Sequence, residues 1–181
     1  MKEITLEQLA ATVSKKLQEH GIDCILVGGG CVSIYSQNRY QSYDLDYVTY
    51  ENMKKIEVAL REIGFIKVGK HFEHQECEYF IEFVSPPVAV GNEPIRDYEY
   101  RKTEFGTIKM LTPTDSVKDR LASYYHWDDL QGLEQATNIC QEIPNKVDIE
   151  KIKAWSEKEG QKRKYQIFLR RLEELTATSS N

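Results

Sequence analysis

The stretch from Cys24 to Val48, "CILVGGGCVSIYSQNRYQSYDLDYV", limits the fold more than any other part of the chain. Its apolar opening reads as a short buried strand that stops at glycine, and "CVSIYSQ" reads as a helix. "DLDYVTY" then alternates in the manner of a second strand. A strand, a glycine turn, a helix and another strand within so short a span call for an α/β or α+β unit built around a mixed sheet.

The flanking sequence extends this pattern. Leu6, Leu9, Val13 and Leu17 form one helical stripe, with Thr5 and Gln8 placed as a capping box and Gly21 as the stop. Met53, Ile56, Leu60 and Ile63 recur at helical spacing up to Gly64. "FIKVG", "EYFIEFV" and "TIKML" read as strands, and "SPPVAVGNEP" reads as a loop because of its prolines and glycine. Beyond Pro113 the pattern turns helical. The expected organisation is therefore a core over residues 1–111, a helical region over 112–175 and a frayed tail over 176–181.

Bulk properties narrow the class. The chain has 181 residues, 40% of them apolar, which is enough for a substantial core. Its net charge of −5 argues against a surface that coats nucleic acid, although a local basic patch remains compatible with it. Such a patch is "KRK" at 162–164 with Arg170 and Arg171, which reads either as a phosphate contact or as a solvated helix face. The four cysteines form no CxxC pair, and "MKEITLEQLA" lacks a secretory pattern, so reduced thiols and a cytoplasmic location are expected. No stretch has the roughly 20 apolar residues of a membrane span.

The chemistry concentrates in the opening stretch. Residues two apart on a strand point the same way, so Asp44 and Asp46 project together while Leu45 turns into the core. Paired carboxylates repel unless a cation lies between them, and oxygen donors suit Mg²⁺ or Mn²⁺. Mg²⁺ completes its shell with water and phosphate oxygens. Gly28, Gly29 and Gly30, followed by a helix N-terminus, offer a place for phosphate. Ser33 or Ser36 would add a hydroxyl.

On these residues the chain resembles the nucleotidyltransferase superfamily, the fold shared with DNA polymerase beta, and in particular its small bacterial and archaeal members of the minimal nucleotidyltransferase or toxin–antitoxin type. These carry a strand ending in GG, a short helix, an R-x-T-x-D-x-D segment and a third carboxylate on a later strand. The resemblance implies a small mixed β-sheet core flanked by helices, with a C-terminal helical region. It puts Gly28 and Gly29 at the glycine positions, Ser42 where threonine is frequent, and Asp44 and Asp46 at the metal positions. One extra residue separates Arg39 from Ser42. Glu82 in "EYFIEFV" takes the place of the third acid, where the family more often has Asp. Lys118, on a helix that opens with "TPTD", stands where the family places a cation facing the cleft, whereas Arg120 is expected to face elsewhere and pair with surface acids.

The implied activity is Mg²⁺-dependent transfer of a nucleoside monophosphate from a nucleoside triphosphate to a hydroxyl of RNA (such as tRNA), of a protein or of a small molecule. The family context adds a helical toxin as a partner. The alternative is a catalytically weak or inactive nucleotidyltransferase-like binding module or antitoxin. Two other groups stand outside this reading. His71, His74 and Cys77 are read as a polar hairpin loop rather than a zinc site. Tyr124, Tyr125 and Trp127 are read as packing residues rather than a base-stacking platform.

Overall fold

The computed structural model of the chain describes residues 3–178. Residues 179–181 of the expected tail lie outside this range. Helix α1 (Leu6–Glu19) starts at the expected capping box: the Thr5 hydroxyl accepts from Gln8 N at 3.2 Å and the Gln8 side chain accepts from Thr5 N at 3.0 Å. Strand β1 (Ile25–Val27) leads into α2 (Gly28–Tyr35), and β2 (Asp44–Val48) into α3 (Met53–Arg61), capped by Asn52. Three strands follow, β3 (Ile66–Val68), β4 (His71–Glu73) and β5 (Phe80–Val84). A two-stranded hairpin, β6 (Ala89–Val90) with β7 (Glu93–Pro94), precedes β8 (Tyr98–Lys102) and β9 (Thr107–Leu111). The rest is helical: α4 (Pro113–Trp127), α5 (Leu130–Glu142), a 3₁₀ turn (Pro144–Lys146), α6 (Ile149–Lys158) and α7 (Lys162–Thr178).

Among the described residues, seven strands form one mixed sheet in the order β3-β4-β5-β2-β1-β9-β8. β2 runs antiparallel to β1 and parallel to β5, and β1 runs parallel to β9. Leu45, Ile81 and Phe72 are in register across three strands, Leu26 pairs with Tyr47 on the same face, and all are buried there. Tyr47 shares that face, and its hydroxyl donates to Ala10 O of α1 at 3.0 Å. Lys67, also on that face, pairs with Glu57 of α3 at 3.2 Å. Helices α1 and α3 thus cover this face, as the apolar stripes of both require.

The C-terminal helices pack against the rest of the sheet unit. α4 touches α2, β6 and β9, and Trp155 of α6 stacks on Tyr125 at 5.4 Å and donates its indole N–H to Val90 O at 3.4 Å. Lys164 does not present its ammonium to solvent as a phosphate ligand. It donates to the carbonyls of Tyr124 and Tyr125 at 2.9 and 2.6 Å and pairs with Asp128 at 2.7 Å, so it closes the C-terminal end of α4.

Three local expectations need correction. "SPPVAVGNEP" contains the β6–β7 hairpin, a pairing of only two residues a side that gives no readable alternation. The HxxH segment is not wholly a loop, because His71 opens β4, whose one buried residue is Phe72. Trp127 is largely exposed, unlike the buried Tyr124 and Tyr125, because α4 ends there and Asp128 turns the chain with φ 55°.

Candidate active site

β1 ends where β2 begins its run past it, so the register sets Val27 beside Asp46. Gly28 then turns the chain into α2 with φ 65°. A Cβ on Gly28 would fall 2.5 Å from Asp46 Oδ2, and one on Gly29 would fall 2.9 Å from Ser42 Oγ. Glycine is needed here by conformation and by space. The glycines belong to the first turn of α2 rather than to a separate loop, so the unpaired N–H groups of the helix start directly beside the carboxylates.

Asp44 and Asp46 emerge on the same face of β2, with Leu45 fully buried between them. The parallel pairing of β2 with β5 puts Glu82 opposite Asp46, and paired residues on neighbouring strands share a face. Three acids thus lie on one surface beside the glycine turn. Ser42 holds the first of them, its hydroxyl donating to Asp44 Oδ1 at 2.6 Å. Ser33 holds the approach. Its hydroxyl donates to Tyr40 O and accepts from Ser42 N, both at 2.8 Å, which ties the 36–42 loop to α2.

The Asp46 carboxyl is pushed up to about 7, first by burial and then by the charges of Asp44 and Glu82. Arg120 pulls it back and Asp119 pushes it further up, so α4 brings a cation and an anion to the same site. Arg120 is oriented by its neighbours, with Nε donating to Asp119 Oδ2 at 3.0 Å and Nη1 to Gln135 Oε1 at 3.3 Å. Arg120 thus pairs with an acid of its own helix, as expected, while its charge also reaches Asp46. Lys118 is the residue turned away: it is only 5% exposed, and its ammonium lies 2.9 Å from Glu93 Oε1 and 3.4 Å from Asp115 Oδ1. Two helix positions separate these side chains by about 200° of rotation, so only one can face the acids. Arg39 pairs with Glu142 of α5 and leaves the carboxylates to themselves.

The structure thus gathers Gly28, Gly29, Ser42, Asp44, Asp46 and Glu82, lets the charge of Arg120 act on Asp46, gives Ser33 a role in holding the loop, and engages Arg39 and Lys118 with other partners. The signal that could have found Arg120 is its place on the same helix as Lys118, where the choice between them needs the rotation of α4.

A divalent ion fits the donor set in part. The oxygens are of the kind Mg²⁺ prefers, and the crowding that raises the Asp46 carboxyl is what a cation would relieve. Among the described residues no three His, Cys, Asp or Glu side chains close into a complete metal cage. Mg²⁺ does not require one, since it binds through one or two carboxylates and takes its remaining oxygens from phosphate and water. No other metal centre takes shape at the HxxH segment, where His71 Nε2 lies 2.6 Å from Glu73 Oε1 and His74 Nδ1 accepts from Glu76 N at 3.0 Å.

A mixed sheet of this order, with a strand, glycine turn and helix leading to two carboxylates on the adjacent strand, has the architecture of nucleotidyltransferases. A family model described as a nucleotidyl transferase of unknown function (DUF2204) matches residues 5–79, the part that holds the glycines and both aspartates. Solved structures agree on the fold. The crystal structure of an antigenic nucleotidyltransferase-like protein from Paracoccidioides brasiliensis matches with TM-score 0.57 and 13% identity over 77% of each chain. The solution structure of the antibiotic-resistance factor ANT(2'')-Ia matches with TM-score 0.55 and 11% identity over 98% of this chain and 100% of that one. Its crystal structure in complex with adenylyl-2''-tobramycin matches with TM-score 0.51 and 10% identity over 82% and 92%. No curated protein matches the sequence. The family model matches the part of the chain that carries the glycines and aspartates, and the solved structures show that the chain shares the nucleotidyltransferase fold. Among the described residues no helix is long and apolar enough to cross a membrane.

Proposed function

We propose that the protein transfers a nucleoside monophosphate from a nucleoside triphosphate to a hydroxyl acceptor, with Asp44, Asp46 and Glu82 as the acids of the site. The observation that carries this reading is the register that sets all three on one sheet face against the φ 65° turn of Gly28. The acceptor oxygen forms a bond to the α-phosphorus, the bond from that phosphorus to the bridging oxygen breaks, and pyrophosphate leaves with its electron pair. Glu82 takes the hydroxyl proton as general base. The N–H groups at the start of α2 receive the triphosphate, and Arg120, held by Asp119 and Gln135, supplies a fork that binds phosphate oxygens. Ser42 keeps Asp44 in one rotamer. Mg²⁺ or Mn²⁺ bound by Asp44 and Asp46, with Glu82 beside them, would neutralise the phosphates and ease loss of the acceptor proton.

The test is incubation with each α-labelled nucleoside triphosphate, Mg²⁺ and cell extract, followed by separation of RNA, protein and small molecules. Label is expected in one fraction and absent with Asp44→Ala/Asp46→Ala. Transfer that persists in the double variant would remove these acids from the mechanism. The incomplete cage supports a second reading, a binding module that holds the nucleotide without turnover. Its signature would be triphosphate binding that depends on Asp44 and Asp46 with no label transferred.

A further inference from the structure

The sheet face that carries the three acids is covered unevenly. Helices α1 and α3 lie on the opposite face, and the half formed by β3, β4 and β5 has no helix over the acid-bearing side among the described residues. Register places Val68 with His71, His71 with Glu82 and Glu82 with Asp46, so these four strands present one continuous surface. Ile66, Phe80 and Val84 lie on it two residues from those positions. Its apolar side chains are exposed from 37% at Val84 to 54% at Ile66. From β2 to β3 the surface spans three strand spacings, about 14 Å.

An uncovered apolar patch that runs without a break into a set of carboxylates is built to receive something. The charge specifies what. Asp44, Asp46, Glu73 and Glu82 all stand on this surface, and among the described residues of these strands the basic side chain on it, His71, is already 2.6 Å from Glu73 Oε1 with its ring edge on Phe80 at 5.1 Å. Away from the metal-binding edge, a phosphate backbone laid along β3 to β5 would meet the carboxylate of Glu73 with only His71 to offset it. A sugar would leave many hydroxyls over Val68, Phe80 and Val84 without partners, which carries the desolvation cost of unmade hydrogen bonds. An ammonium group with an apolar body suits both halves of the surface.

We infer that this open face is the acceptor site, and that the acceptor is a small amino alcohol with an apolar body: its ring or chain lies on Phe80, Val68 and Ile66, its ammonium faces Glu73, and its hydroxyl reaches the edge at Asp44 and Asp46. The word acceptor rests on the transferase reading above; the binding chemistry does not.

The experiment is a titration of the full chain with 2-amino-1-phenylethanol, followed by the imidazole proton resonances of His71. Its controls are 1-phenylethanol, ethanolamine, tobramycin and a single-stranded oligoribonucleotide. The amino alcohol is expected to shift His71 and to bind at least tenfold more tightly than either half-molecule. Phe80→Ala and Glu73→Gln should each weaken it at least fivefold, and Val68→Thr, which keeps the side-chain shape, should weaken it if Phe80→Ala fails to fold. Tighter binding of the oligoribonucleotide or of tobramycin at His71, equal binding of 1-phenylethanol, or indifference to all three substitutions would overturn the inference. The label-transfer assay separates this failure from that of the transferase reading. Intact binding without any transfer counts against the reaction alone, and transfer to acceptors that do not shift His71 counts against this face alone.

Discussion

At Gly28 two physical demands fall on one residue. The backbone is left-handed there, which costs a residue with a Cβ about 1 kcal/mol, and the added carbon would press on Asp46 Oδ2. Gly28→Ala should lower stability by about 1–2 kcal/mol in urea unfolding and weaken Mn²⁺ binding, read by electron paramagnetic resonance, at least tenfold. Unchanged Mn²⁺ binding would mean that Asp46 is not a ligand. Asp46 itself makes a pH prediction. Its carboxyl is raised in the folded chain to about 7 by burial and by Asp44 and Glu82, so the folded state holds a proton that the unfolded chain has released. Stability should then fall as pH rises from about 4 to about 7 and stay lower above that, by at most about 4 kcal/mol. Asp46→Asn removes this penalty. In metal-free buffer its Tm should exceed that of the parent at pH 8 and converge with it near pH 4, and a constant difference would show that the charge is not strained. The acids and glycines were legible in the sequence because each follows from a local rule: period two for the aspartates, absence of Cβ for the glycine.

At the scale of elements, α4 shows where sequence reading stops. Its start was readable, since Thr112, Pro113 and Asp115 form a recognisable N-terminus, and the Thr112 hydroxyl indeed accepts from Asp115 N at 3.1 Å. Thr112→Ala should cost about 1 kcal/mol in thermal unfolding. Its rotation was not readable, because Lys118 and Arg120 are both plausible on either side of a helix whose apolar stripe is wide. The stripe Val117, Leu121, Tyr124 and Tyr125 buries one side, and tertiary partners decide the rest: Glu93 and Asp115 take Lys118, while Asp119 and Gln135 aim Arg120. Arg120→Gln should therefore weaken binding of a triphosphate with Mn²⁺ at least tenfold, and Lys118→Met less than threefold, by calorimetric titration. Equal losses would return Lys118 to the site. β4, β8 and the β6–β7 hairpin were missed for a related reason, since strands at a sheet's margin or of two or three residues are specified by their neighbours more than by their own pattern.

For the whole molecule, the composition change near Leu111 invites a division into a sheet unit and a helical annex, yet the contacts cross that line repeatedly. Trp155 reaches back from α6 to Val90 O at 3.4 Å, Lys118 of α4 pairs with Glu93 of β7 at 2.9 Å, and Arg39 pairs with Glu142 of α5. Arg120 joins the same two regions at the site itself, because the charge on α4 acts on a carboxylate of β2. Parts so connected should unfold together. The chain has two tryptophans, and Trp127 is exposed, so Trp127→Phe leaves Trp155 as the only indole reporter at little cost. In that background, urea unfolding followed by Trp155 fluorescence, which reports the helical region, should coincide with far-ultraviolet circular dichroism, which reports both. Separated midpoints would make residues 112–178 an independent unit and would loosen the link between Arg120 and the acids. Trp155→Ala, which opens a large void between α4, α6 and the hairpin, should lower stability by about 3–5 kcal/mol. If the two regions form one cooperative unit, that loss also appears in the resistance of the β2 amides to hydrogen exchange, although Trp155 lies outside the sheet. Exchange at Tyr47 and Val48 that ignores the substitution would place the site on a sheet stable without its helices.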